Sequence, residues 1–227
     1  MLVSLAKKAI LRQNEQQMTK VLAVSDQVVE RIYTLAANEH FQDVDLILGC
    51  GDLPYTYLEY LVSVLGVPLY YVPGNHDPRY NVDHSLSYAE GGSNLDLKTA
   101  LVNGLFLAGL GGSIRYRPDG VNQYTQQQAF FRAYRLLLRL LINQVRFGHK
   151  LDVLISHSPP FEIHDDDSQA HQGLKALNFL IRTVGPRYLF HGHTHFFRHN
   201  LEECVTQVGG TIIMNIFPYK VIEINDE

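Results

Sequence analysis

The stretch VLAVSDQVVE, residues 21–30, decides the fold. Its apolar run reads as a strand over 20–25 that stops on Asp26, and the pattern resumes at a spacing that predicts a helix over about 27–39. Alone, Asp26 reads as a turn or helix-cap carboxylate that accepts from the first helical amides. Working outward, the same alternation predicts a strand at 44–49, a helix at 55–65 and a strand at 68–72. Strands joined through helices lie parallel, with the helices covering the sheet, and such sheets collect ligands at the strands' carboxyl ends.

The second half adds antiparallel strands. Asn103-Gly104 separates two apolar runs, a strong hairpin signal, and Gly209-Gly210 marks another before a last strand. Between them the spacing predicts a helix near 123–147, a strand at 151–156, a helix at 171–183 and a strand at 187–191. No repeat or linker divides the chain, so residues 20–227 are expected as one α/β domain after an N-terminal extension, 1–19, with the pattern of a short helix. Met18 is a candidate start. Arg132, Arg135 and Arg139 form a stripe on the long helix that reads as a solvated face or, less simply, as a phosphate contact.

Hydrophobic content is 46% and charged content 19%, and no apolar run approaches the roughly 20 residues of a membrane span. The first segment lacks the apolar core and cleavage site of a secretory signal, so a cytoplasmic location is the expectation. Cys50 and Cys204, far apart and without C-x-x-C spacing, read as reduced core thiols. A formal charge of −4 disfavours nucleic acid and favours a small substrate.

The apolar runs share one feature: each ends on a metal-competent residue. Asp26 follows the first strand, Asp52 the second, and Asn75, His76 and Asp77 the third, in PGNHD; His157 and then HGHTH, with His193 and His195, follow later ones. Carboxylate, amide and imidazole donors suit hard or borderline ions. There are more of them than one centre takes from protein, and a carboxylate can bridge two ions about 3.5–4 Å apart. Gly51, Gly74 and Gly192 are read as serving sharp strand-to-loop turns.

In that order, D…GD…GNHD…H…GHTH, the chain resembles the calcineurin-like metallophosphoesterases from Lys20 onward, with GLGGS (109–113), SHSPP (156–160) and HQGLKAL (171–177) as further likenesses. The resemblance implies a four-layer α/β/β/α sandwich of two mixed sheets flanked by helices. It implies two metal ions, Fe, Mn or Zn, including Fe(III) with a divalent partner. Asp52 would bridge them, Asn75, His157 and His193 would complete one site, and Asp26 and His195 would hold the other. A bridging hydroxide would hydrolyse a small phosphomonoester or phosphodiester, with His76 assisting at the phosphoryl or leaving oxygen and Asp77 either fixing its tautomer or serving the turn.

One departure stands out. The family's first motif is Asp-x-His, and here it is Asp26-Gln27-Val28. Gly51-Asp52-Leu53-Pro54-Tyr55 matches the Gly-Asp-x-x-Tyr of the purple acid phosphatase branch, which makes Tyr55 either a substitute ligand or an aromatic packed on the helix start. The loops 113–125 and 161–173 are expected to face substrate, with Arg115 or Arg117 clamping phosphate and His171 near the site. Val28 leaves a rival reading, a binding scaffold without catalysis, as in the retromer scaffold subunit of this superfamily; a nuclease is a third reading, which the net charge and the lack of a basic domain disfavour.

Overall fold

A computed structural model describes residues 18–37, 41, 43–79, 87–195 and 201–225. The N-terminal extension therefore lies outside the described residues, apart from Met18 and Thr19, which open the first strand.

The first sheet is ordered β13 (Tyr219–Asn225), β1 (Met18–Val24), β2 (Leu46–Gly49), β3 (Leu69–Tyr71), β4 (Gly92–Asn94). Its β1 to β4 run parallel, and β13 closes the edge antiparallel to β1 with Met18 opposite Asn225 and Val24 opposite Tyr219. The second sheet is ordered β11 (Val205–Val208), β12 (Thr211–Asn215), β10 (Tyr188–His191), β9 (Val153–Ser156), β6 (Leu105–Leu110), β5 (Thr99–Val102). Both predicted hairpins are present: β5–β6 turns at Asn103 and Gly104, both at positive φ as a tight two-residue hairpin needs, and β11–β12 turns at Gly209 and Gly210. A short pair, β7 (Ser113–Ile114) and β8 (Gln123–Tyr124), stands apart.

Side chains alternate across each strand and divide the core into layers. Val21, Ala23, Leu46 and Leu48 meet Leu105, Leu107, Val153 and Ile155 between the two sheets. Leu22, Val24 and Ile47 point the other way, into a layer covered by α1 (Glu30–Ala37) and α2 (Tyr55–Leu65). Phe106, Ala108, Leu154 and Leu189 face outward from the second sheet, under α3 (Gln126–Phe147) and α4 (Lys175–Val184). Three apolar layers between four structural ones are the expected α/β/β/α sandwich. A four-residue helix, α5 (Leu201–Cys204), precedes β11, and both cysteines are buried free thiols.

Several element boundaries differ from the sequence reading, each for a local reason. α1 starts at Glu30, because Asp26 is left-handed (φ 63) and the Gln27 amide bonds the Ser25 carbonyl, which spends residues 25–27 on a turn; positions 38 and 39 lie outside the described residues. α3 starts at Gln126, since Gln123 and Tyr124 pair as β8 and Thr125 makes a reciprocal capping box with Gln128. α4 starts at Lys175, because the His171 and Gln172 amides bond the Ser168 carbonyl in a preceding turn. The strand β4 was not anticipated, as Gly92-Ser93-Asn94 carries no apolar signal. The arginine stripe is only partly a solvated face: Arg132 grips both oxygens of Asp96 at 2.7 Å and lies over the Tyr124 ring, Arg139 donates to the Leu97 carbonyl, and Arg135 is exposed.

Candidate metal centre

The predicted ligands other than Tyr55 lie together just beyond the carboxyl ends of β1, β2, β3, β9 and β10. Three of them, Asp26, Asp52 and His193, sit at φ 63, 56 and 69, a left-handed conformation that is uncommon without glycine. Tight crossings of the strand-end loops hold them there. A Cβ on Gly74 would stand 2.0 Å from Asp52 Oδ1, and one on Gly192 would stand 1.8 Å from Ser25 Oγ and 2.2 Å from Asp26 Oδ2. Of the three site glycines only Gly51 has positive φ (89), so Gly74 and Gly192 serve close approach rather than turn geometry, a correction to the sequence reading.

Asp52, Asn75, His157 and His193 converge. Nε2 of the buried His157 lies 3.0 Å from Asn75 Oδ1, 3.3 Å from Asp52 Oδ2 and 3.1 Å from His193 Nδ1. The hydrogen-bond network assigns the tautomers. His157 Nδ1 faces the Cys50 carbonyl at 2.9 Å, and His193 Nε2 faces the Ala170 carbonyl at 2.8 Å, so each of these nitrogens carries the proton and donates. The opposite nitrogens face each other and two oxygens, an arrangement that repels itself unless a proton or a metal ion sits among them. Without a metal ion that cation is a proton on His157 Nε2. Burial disfavours a charged His157, yet the Asp52 carboxylate, with Asp26, lifts it to about 10. Burial, with the charge of His157, pushes His193 down to about 4 and keeps it a neutral donor. Asp52 is held at about 2 by His157 in spite of its burial. Oxygen and imidazole donors without a thiolate fit a hard or borderline ion, and second bonds from ligand histidines to carbonyls are the usual support for one.

Asp26 and His195 lie beside this group. Asp26 accepts from Ser25 Oγ at 2.5 Å and from the His193 amide at 2.9 Å, and His195 Nε2 is 3.6 Å from its Oδ1. Burial opposes the charge of Asp26, but the bond to His195 and the charge of His157 hold its carboxyl below the usual range. The His195 ring stacks on Phe217 with centroids 4.4 Å apart. Val28 packs into the apolar layer under α1 and α2. The structure does not bring Tyr55 into the converging group: its ring rests on Tyr71 and its hydroxyl points at the Pro78 carbonyl 3.5 Å away, while burial pushes its phenol above the ordinary range.

The remaining predicted residues divide. His76 is exposed, with its amide on Asp52 Oδ1 at 2.7 Å and its Nε2 4.0 Å from Asp52 Oδ2. Asp77 Oδ2 accepts from the Gly74 and Asp52 amides at 2.7 and 3.0 Å, tying the two ligand loops together, which is the turn reading of that residue. Its carboxyl is raised to about 6 by burial, and by Asp52, against those two bonds. His171 sits edge-on to His193 at 5.2 Å, held by Ser168 and Asp166. Arg115 donates to the Gln123 carbonyl, and Arg117 lies over Tyr116, so neither is directed at the ligand group. A cleft of about 940 Å³ opens from Asp52 and His76 toward Tyr55, Glu59, Tyr88 and Glu90, on segments other than the two loops expected to face substrate.

Sequence reasoning missed two contacts. Tyr116, inside a polar Arg- and Tyr-containing loop in which the sequence reading gives a role to the arginines alone, accepts from Asn75 Nδ2 at 3.2 Å and so turns the amide oxygen toward His157. His164 Nδ1 and the buried His191 Nε2 are 2.8 Å apart behind the site, with His164 Nε2 on Thr206 Oγ1. His191 was legible as the first letter of HGHTH; His164, on a turn at φ 59, gave no signal.

Comparison with known proteins agrees with this geometry. The chain is 28% identical over 195 residues to the uncharacterized protein MJ1162 of Methanocaldococcus jannaschii, covering 80% of this chain and 82% of that one. The crystal structure of TT1561 of Thermus thermophilus superposes with a TM-score of 0.60 at 17% identity, covering 93% of this chain and 100% of that one, a likeness of fold. The family model described as calcineurin-like phosphoesterase matches residues 19–197, which span every candidate ligand, and the chain belongs to that family.

Proposed function

We propose that this protein is a metal-dependent phosphoesterase that hydrolyses a small phosphomonoester or phosphodiester at a dinuclear centre. The observation that carries the reading is the convergence of His157 Nε2 and His193 Nδ1 with oxygens of Asp52 and Asn75, where a metal ion would replace the proton of His157. These four residues would hold one ion, and Asp26, His195 and a shared Asp52 the other. When bound, such ions supply Lewis acidity toward a phosphoryl oxygen and lower the pKa of water toward neutrality.

The chain's own residues do the rest. Asp77 and Tyr116 orient Asp52 and Asn75, and the carbonyls of Cys50 and Ala170 keep the two histidines in the tautomers that can ligate. His76, exposed over Asp52 at the mouth of the cleft, is placed to donate to a phosphoryl oxygen or to protonate the leaving oxygen. The cleft is of the size that small-molecule sites have.

A one-metal enzyme or a binding scaffold is the second reading, favoured by Val28, partly buried against an apolar layer where the family's motif places a histidine. Metal analysis and a visible spectrum of iron-loaded protein, for wild type and Tyr55→Phe, separate the readings, alongside hydrolysis of p-nitrophenyl phosphate and its bis ester. Two ions per chain with turnover are the expected result. A tyrosinate-to-iron band that vanishes in Tyr55→Phe would bring Tyr55 into the first site on loading. One ion per chain without turnover sinks the dinuclear hydrolase.

A further inference from the structure

The long helix α3 carries apolar residues on two opposite faces. Ala129, Ala133, Leu136, Leu137 and Leu140 face inward and are buried against the second sheet and α4. On the far side Phe131, Tyr134, Leu138, Leu141, Ile142 and Val145 are exposed, from 45% for Leu138 to 65% for Phe131 and 89% for Val145. Single exposed apolar residues need no account, but a continuous row of this kind does. The spacing is regular. Residues 131, 138 and 145 are seven apart, and 134 and 141 repeat the same interval three positions later, which is the a/d pattern of a helix that packs on another helix. A helix covered on one side only has a single apolar stripe.

We infer that this stripe is a two-fold interface, in which α3 packs antiparallel on α3 of a second copy of the chain with Leu138 at the axis. Self-complementarity points to a copy rather than to another partner. Inversion about position 138 sets Phe131 against Val145 and Tyr134 against Ile142 of the partner, a large side chain against a smaller one at each level. Arg135 falls opposite Leu141, over which its methylene stem can lie with the guanidinium in water. The two copies of Arg135 are then offset by six residues, about 9 Å along the axis at 1.5 Å per residue. Arg132 and Arg139 add no repulsion across the seam, since Asp96 and the Leu97 carbonyl hold them at its edge. The area suffices: two aromatic and four aliphatic side chains exposed to this degree offer on the order of 700 Å², close to the ~800 Å² per partner of a standard interface.

Sedimentation equilibrium of the full chain tests this. The expected species has twice the 25.8 kDa chain mass, and Leu138→Glu with Ile142→Glu should weaken it by on the order of a hundredfold while circular dichroism and metal content stay unchanged. Cross-linking tests the register: with Cys50 and Cys204 buried, Leu138→Cys should link to itself on oxidation, and Phe131→Cys should link to Val145→Cys but not to itself. A monomer at every concentration overturns the inference, as does a dimer indifferent to the two glutamates. A monomer that sediments through this stripe with phosphatidylserine vesicles assigns the face to lipid instead. A monomer whose stripe is protected from hydrogen exchange assigns it to another part of the same chain.

Discussion

Asp77 is the residue whose position explains most about the site. Its carboxylate satisfies the Gly74 and Asp52 amides and so locks GNHD to GD, while contributing nothing to the ligand set itself. Asp77→Ala leaves both amides without their acceptor, at about 1–3 kcal/mol each for a buried donor. The expected outcome is a loss of that order in urea unfolding, together with a 10- to 100-fold weaker metal affinity by calorimetry, as is usual when a ligand loses its support. His76 predicts the converse. Because it is exposed and holds the site only through its backbone amide, His76→Ala should lower hydrolysis of p-nitrophenyl phosphate by roughly 10²- to 10⁴-fold and leave metal content unchanged. Retained turnover would remove His76 from the reaction.

At the scale of elements, α3 is fixed to the second sheet by a cap and a clamp. Arg132 grips Asp96, which also accepts from the Gly111 amide, so the clamp reaches the loop beyond β6. Both side chains are mostly out of water (15% and 19% exposed), and removing one leaves the other's charge without its partner. Arg132→Ala should therefore cost roughly 2–3 kcal/mol, below the fully buried case because water still reaches the pair. Thr125→Ala, which opens the capping box, should cost about 1 kcal/mol. Thermal unfolding of the two single variants and the double variant separates these effects. A smaller loss for Arg132→Ala than for Thr125→Ala would mean that the cap, more than the ion pair, holds the helix.

For the whole molecule, the buried histidines set the acid side of stability. Burial holds His191 at about 3, with His164 adding to it, and His164 at about 4; His193 is also near 4. Each would titrate near 6.5 in the unfolded chain. Between pH 6.5 and 4 the unfolded state therefore binds more protons at these positions, and stability falls as pH falls, by ~1.4 kcal/mol per pH unit for each uncompensated proton. Asp77 works in the opposite sense between about 4 and 6, because its folded value lies above the unfolded one, and it offsets one of the three. Urea unfolding of metal-stripped protein across this range should show declining stability, and His164→Gln should flatten the decline by about one proton. A flat profile for the wild type would mean that these imidazoles are charged in the folded state.

The sequence by itself determined the α/β alternation, both hairpins and the positions of the candidate ligands, because strand periodicity, Asn-Gly and Gly-Gly turns and polar residues at strand ends are all local signals. It could not tell whether Asp77 acts on His76 or on the turn, or whether Arg132 faces solvent or Asp96, since Asp52, which Asp77 ties to Gly74, and Asp96 lie 25 or more residues away in the chain. Tertiary structure alone decided these questions. It brought the last strand back to pair with the first, so that both sheets open their carboxyl ends on one site, and it oriented His157 and His193 through the Cys50 and Ala170 carbonyls. A main-chain acceptor leaves no mark on residue identity. Tautomer and ligand geometry arise only when loops distant in sequence are packed together.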